Sequence, residues 1–228
     1  LDMIKKFTRE NGCDVGIAFD GDADRVLFVD ENGELVDGDK LMSIIGLHLK
    51  KNGLLKNNTI VATVMSNLGF DIMARENDIN LVKTTVGDRY VLEKMLEGDY
   101  VIGGEQSGHI ILRNFNTTGD GLVTALQALS ILKESDKKLS ELASVMQIFP
   151  QVLKNAKVSN SKKHSYLEDP VIAEKCRELE ETFHGEGRVL IRPSGTEPLV
   201  RVMIEGRDLD YITHKATELV KIIEERLA

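Results

Sequence analysis

Three carboxylates alternate with small residues in Asp20-Gly21-Asp22-Ala23-Asp24, and Arg25 follows at once. On an extended chain, side chains i, i+2 and i+4 share one face, so the three groups are expected to converge. Like charges at close range repel unless a cation sits among them or their pKa values rise. An all-oxygen donor set suits magnesium, manganese or calcium. An EF-hand is excluded. With Asp20 opening the loop, Glu31 falls at its last position as required, but Arg25 stands where the loop demands glycine. The flanking runs Val15-Gly16-Ile17-Ala18-Phe19 and Val26-Leu27-Phe28-Val29 also read as strands, not helices. A solvated acidic turn between two strands is the plain alternative.

Two further loops carry chemistry. Arg192-Pro193-Ser194-Gly195-Thr196-Glu197-Pro198 lies between strands expected over 189–191 and 200–204. Successive backbone N–H groups in such a turn form a concavity for anions. Ser194 and Thr196 add hydroxyl donors, and Gly195 leaves room for an oxyanion near the backbone. The planar fork of Arg192 suits phosphate, with Arg201 within reach from the following strand. An ordinary Pro-Ser-Gly-Thr turn would look the same, and the Walker pattern is absent. Gly103-Gly104-Glu105-Gln106-Ser107-Gly108-His109 places Glu105 and Ser107 two apart among glycines, a pairing suited to the vicinal hydroxyls of a sugar. His109 is a candidate proton carrier or a strand residue tied to a backbone carbonyl. Arg89, at a helix start after Val86-Gly87-Asp88, is a candidate anion contact, while Asp88 reads as an N-cap.

The elements that must position these loops alternate. Strands are expected over 59–64, 81–85, 100–103 and 109–112. Helices are expected from Asp39, as its cap, to about 52, then over 69–77, 88–97 and 120–134, with Asp120 as a cap. Asp30-Glu31-Asn32-Gly33 is a hairpin turn. This is the pattern of an α/β layered sheet. A short helix near 139–145 and the break at Phe149-Pro150 end it. A strand over 151–158, a helix opened by Asp169-Pro170, two strands and a helix over 209–227 follow. The fold class is therefore α/β, a mixed layered α/β domain followed by a smaller α+β C-terminal domain, with the boundary near residue 150.

The chain has 228 residues and a net charge of −8. Without a basic stripe, nucleic acid and membrane surfaces are disfavoured as partners. Cys13 and Cys176 have no metal-type spacing, so a reduced cytoplasmic setting is the default. No apolar run approaches the ~20 residues a bilayer span needs, and no signal peptide precedes the first strand. The chain starts at Leu1.

Taken together, Asp20-Gly21-Asp22-Ala23-Asp24-Arg25, Gly104-Glu105-Gln106-Ser107-Gly108-His109 and Arg192-Pro193-Ser194-Gly195-Thr196-Glu197-Pro198 resemble the metal, sugar and phosphate loops of the α-D-phosphohexomutase family. They occur in the family's order, and the resemblance covers nearly the whole chain. It implies Mg²⁺ held by Asp20, Asp22 and Asp24, sugar hydroxyls on Glu105 and Ser107, and substrate phosphate on Arg192, Ser194, Gly195 and Thr196. Arg25, Arg89 and His109 follow as weaker correspondences, with Arg25 and His109 as the catalytic candidates. Arg201 rests on proximity. Gln106 and the run Arg201-Val202-Met203-Ile204-Glu205 look most like bacterial members acting on a hexosamine phosphate. Members acting on mannose or glucose phosphates, or a non-catalytic phosphosugar-binding module, are the rivals.

The family has four domains and a catalytic serine in a Thr-Ala-Ser-His-Asn-Pro type loop that these residues do not contain. The resemblance therefore implies the C-terminal half. Residues 1–33 correspond to the tail of the second domain with the metal loop, 34–150 to the third and 151–228 to the fourth. The expected partner is the N-terminal half of the same enzyme, and the three loops are expected at the rim of one cleft.

Overall fold

A computed structural model describes residues 1–227, which divide into two compact units, Leu1–Gln147 and a second that begins at Ile148. In the first unit, helix α1 (Asp2–Glu10) precedes an antiparallel sheet of β1 (Val15–Phe19), β2 (Val26–Asp30) and β3 (Leu35–Val36). Asp30 shapes the expected hairpin turn, its carboxylate accepting from Asn32 and Glu34 N–H at 2.9 Å each.

The layered part follows as α2 (Gly38–Lys51), β4 (Thr59–Thr63), α3 (Leu68–Glu76), β5 (Asn80–Thr84), α4 (Asp88–Glu97), β6 (Ile102–Gly104), β7 (Ile110–Leu112), α5 (Gly121–Ser135) and α6 (Leu139–Ala143). Its sheet has the order β5-β4-β6-β7, parallel except for the β6–β7 hairpin. Alternation along β4 feeds two cores. Ile60 and Ala62 join Leu41, Ile45, Phe70, Met73, Ala125 and Ala128 on one face, whereas Val61 meets Val91 and Met95 of α4 on the other. Val26 and Phe28 of β2 belong to the first of these cores.

The second unit contains β8 (Gln151–Lys157), α7 (Pro170–Thr182), β9 (Gly187–Pro193), β10 (Leu199–Gly206) and α8 (Leu209–Leu227). The antiparallel order β8-β10-β9 makes β10 central. Ile212, Ala216, Leu219, Ile223 and Leu227 recur at helical spacing along α8 and bury against Val200, Val202 and Ile204. Each fully buried isoleucine stabilises the unit by roughly 1.5–3 kcal/mol. Asp169 caps α7 by accepting from Val171 and Ile172 N–H, and Pro170 occupies the first turn.

Two capping expectations are corrected. Asp37, not Asp39, caps α2, accepting from Lys40 N–H at 3.1 Å. Asp39 is inside the helix and fully buried. At α4 the cap position is Gly87, and Asp88 is the first helical residue without a side-chain capping bond.

Candidate metal, sugar and phosphate loops

The acidic residues converge, but through a turn and not through strand alternation. β1 ends at Phe19, and residues 20–25 form a loop in which Ala23 adopts φ 59°. That left-handed backbone, costly for a residue with a Cβ, folds the loop back so that Ala23 N–H approaches Asp20 O. One carboxylate oxygen each from Asp20, Asp22 and Asp24 then lies within 4.8 Å of the other two. Asp24 Oδ1 is buried without a hydrogen-bond partner, an acceptor that a cation would satisfy. The hard oxygen set and this orphaned atom fit a small divalent ion. Arg25 supplies positive charge beside them, its Nε 3.9 Å from Asp20 and 3.8 Å from Asp24.

The segment 105–109 closes the β6–β7 hairpin and grips the acidic loop. Gly108 O accepts from Val26 N–H at 3.1 Å, and Ala23 O accepts from Gly121 N–H at 3.0 Å. Gly108 has φ 95° and lies so near Val26 O that no side chain fits. His109, 4% exposed, donates from Nδ1 to Asp24 Oδ2 at 3.1 Å and accepts at Nε2 from Gly119 N–H at 3.1 Å. Those partners assign the neutral tautomer with the proton on Nδ1. Both ring nitrogens are thus engaged, and the ring is buried. Its partners are a carboxylate and a backbone N–H, not the backbone carbonyl of the alternative expectation.

Glu105 and Ser107 face a cavity of about 410 Å³ whose lining also includes Asp37, Thr63, Met65, Val86 and Gln106. Glu105 accepts from Gly87 N–H at 3.0 Å and from the Ser107 hydroxyl at 3.3 Å. Beneath them, Gly38 N–H donates to Gln106 O at 3.0 Å and Gln106 Nε2 donates to Asp37 Oδ2 at 3.1 Å. Burial raises the Asp37 pKa against these hydrogen bonds. A Cβ on Gly38 would collide with Glu105 O, so glycine is required for the hairpin to sit here. Arg89, in the first turn of α4, is exposed and paired with Glu93 at 2.8 Å.

In the second unit, the β9–β10 register sets Arg192 directly opposite Arg201. Burial first, and the Arg201 charge second, push the Arg192 guanidinium below its ordinary pKa. Arg201 has Glu197 as an ion-pair neighbour at 3.9 Å. Two guanidinium groups held side by side favour a shared anion. Ser194 is 3% exposed, and its hydroxyl accepts from Glu197 N–H at 3.2 Å, shaping the turn. Gly195 and Thr196 are exposed, with open space around Gly195. Lys163 Nζ donates to Ser194 O at 3.1 Å. Sequence reasoning passed over Lys163 within a polar stretch, and passed over Thr63 and Met65 because the end of a strand carries no motif.

Residues 37–149 match the α/β/α domain III of phosphoglucomutase/phosphomannomutase, and residues 153–222 match the C-terminal domain of the same proteins. The phosphoglucosamine mutase of Acetivibrio thermocellus is 69% identical over 227 residues, covering 100% of this chain and 51% of that protein. That of Ruminiclostridium cellulolyticum is 65% identical, covering 99% and 50%. The chain thus spans about half the length of the curated relatives it matches. Among solved structures, Aspergillus fumigatus N-acetylphosphoglucosamine mutase in complex with GlcNAc-6P and magnesium superposes with a TM-score of 0.73 at 21% identity, over 93% of this chain and 49% of that one. A phosphoglucomutase/phosphomannomutase family protein from Burkholderia thailandensis gives 0.74 at 21% identity, over 100% and 50%.

Proposed function

Because the chain belongs to the phosphoglucomutase/phosphomannomutase family, we propose that it is the C-terminal half of a phosphoglucosamine mutase, interconverting glucosamine 6-phosphate and glucosamine 1-phosphate. The observation that carries this reading is the clamp between the acidic loop and the Glu105–Ser107 hairpin, in a chain similar over its whole length to phosphoglucosamine mutases.

Asp20, Asp22 and Asp24 would hold Mg²⁺. When bound, the ion supplies charge neutralisation to a transferring phosphoryl group. A phosphoserine from the N-terminal half donates its phosphoryl to the sugar hydroxyl, giving a 1,6-bisphosphate, and the other phosphoryl then returns to that serine. Glu105 and Ser107 bind sugar hydroxyls in the cavity they line. Arg192 and Arg201, with the exposed backbone at Gly195 and Thr196, hold the phosphate that is not reacting. His109 orients Asp24 and takes no proton from substrate. Arg25 balances the carboxylates, and Arg89 is free to exchange Glu93 for an anion at the surface. A phosphorylated sugar substrate would support a cytoplasmic setting for the reaction.

The test is turnover of glucosamine, mannose and glucose 6-phosphates by the full-length enzyme containing this chain, beside the chain alone. Turnover led by the glucosamine ester, and none by the purified chain, is expected. Preference for either other sugar would reassign the enzyme within the family. Calorimetric binding of glucosamine 6-phosphate without any turnover by the full-length protein would make the chain part of a phosphosugar-binding module.

A further inference from the structure

Asp39 is the second residue of α2 and has no exposed surface, and none of the roles above uses it. Its Oδ2 accepts from Asn67 N–H at 2.8 Å. Oδ1 has no hydrogen-bond partner among the described residues. Burial first, and the Asp37 charge second, push its pKa up to about 7. The opposing positive charge comes from Lys83, itself paired with Asp71 at 2.5 Å. A carboxylate in this setting destabilises the fold when ionised, so its presence calls for another reason.

The surrounding turn supplies one. Asn67 caps α3, accepting from Gly69 N–H at 3.0 Å, so the bond from Asp39 fixes where the β4–α3 connection turns. Thr63 and Met65 of that connection line the same cavity as Glu105, Gln106 and Ser107. On the other side of Gly38, Asp37 holds Gln106 through its side chain. The short run Asp37-Gly38-Asp39 therefore grips two separate parts of the cavity lining from the end of one helix.

We propose that Asp39 is a positioning residue, holding the β4–α3 turn as a wall of the hexose cavity while Asp37 and Gly38 hold the Glu105–Ser107 hairpin. This rests on the reading of that cavity as the hexose site. Two readouts separate it from that reading. In this chain, the Asn67 amide resonance is followed by NMR between pH 5 and 9. Wild type is expected to titrate near neutrality, Asp39→Asn to lose the titration, and Asp39→Ala to exchange its Asn67 amide at least tenfold faster. In the full-length enzyme, Asp39→Ala is expected to raise KM for glucosamine 6-phosphate about tenfold with kcat within about twofold, and Asp39→Asn to recover most of that loss. An Asn67 amide indifferent to Asp39→Ala, or an unchanged KM, would overturn the assignment. A wild-type enzyme inactive on every hexose phosphate would instead sink the proposed function, with the amide arm still deciding whether Asp39 holds the turn.

Discussion

His109 and Asp24 are joined by a hydrogen bond of 3.1 Å from Nδ1 to Oδ2, across 85 residues of chain. The opposite ring nitrogen accepts from Gly119 N–H, so the imidazole cannot leave Asp24 without stranding a second buried group. Outer partners of this kind orient a metal ligand and sharpen its basicity.

Replacing His109 with alanine is therefore expected to lower the Mg²⁺ affinity of this chain about tenfold or more. It should also reduce its stability by about 1–3 kcal/mol, through the unsatisfied Gly119 N–H. Calorimetric titration of the ion and urea unfolding measure the two effects. An unchanged ion affinity would show that Asp24 orients itself.

Asp22 is exposed, and among the described residues its carboxylate makes no hydrogen bond or ion pair. Asp22→Ala is expected to abolish divalent-ion binding while leaving stability within about 0.5 kcal/mol. Circular dichroism melts beside the ion titration would separate a lost ligand from a lost fold.

Gly108→Ala combines a left-handed φ of 95° with a collision at Val26 O. Strain of this kind costs about 1–3 kcal/mol. Because the hairpin bonds the acidic loop, the variant is also expected to bind Mg²⁺ more weakly. A variant as stable as wild type in urea would mean that the hairpin moves freely against β2.

Asp39 gives the stability of the chain a pH dependence of known sign. Its folded pKa of about 7 lies above the ordinary aspartate value of 3.8, so the native state holds this proton more tightly than the unfolded chain does. Its contribution is most favourable below pH 4, falls as pH rises towards 7, and is flat beyond. Relative to wild type, Asp39→Asn should therefore gain stability steadily across that window. Denaturant midpoints at pH 4, 5.5, 7 and 8.5 would register the trend, and parallel curves for the two proteins would contradict it.

Arg192 and Arg201 face each other across the β9–β10 ladder. Removing either is expected to cost about 1.5–3 kcal/mol of phosphate binding, the range for hydrogen bonds to charged groups. Arg192→Lys should rescue little, because an ammonium lacks the planar fork. Titrating glucosamine 6-phosphate at two salt concentrations would test this. Rescue by Arg192→Lys, with an Arg192→Ala loss that vanishes at high salt, would indicate general attraction and not a fitted contact.

The parts of the molecule that advertise themselves in sequence do so for physical reasons. The amphipathic spacing of α8 and the Asp169-Pro170 start of α7 encode local structure that tertiary packing then reinforces. The acidic loop announced its residue types but not its path, since three alternating aspartates suggest a strand whereas Ala23 at φ 59° makes a turn. Helix α1 went unseen because Leu1 supplies no side-chain cap to signal its start. Two-residue β3 is too short for any period to show. Asp37 and Asp39 are both plausible caps by type. Only the fold decides that one bonds Lys40 N–H and the other Asn67 N–H. Lys163 acquires its place beside Ser194 from a contact 31 residues away, beyond the reach of any local pattern.

The bond between Gly108 O and Val26 N–H has an energetic corollary. If an ion stiffens the aspartate turn, the hairpin beside it loses less freedom when a hexose arrives, and the same increment must appear when the two additions are made in reverse order. Cation and sugar are then cooperative ligands whose coupling resides in a few shared backbone contacts.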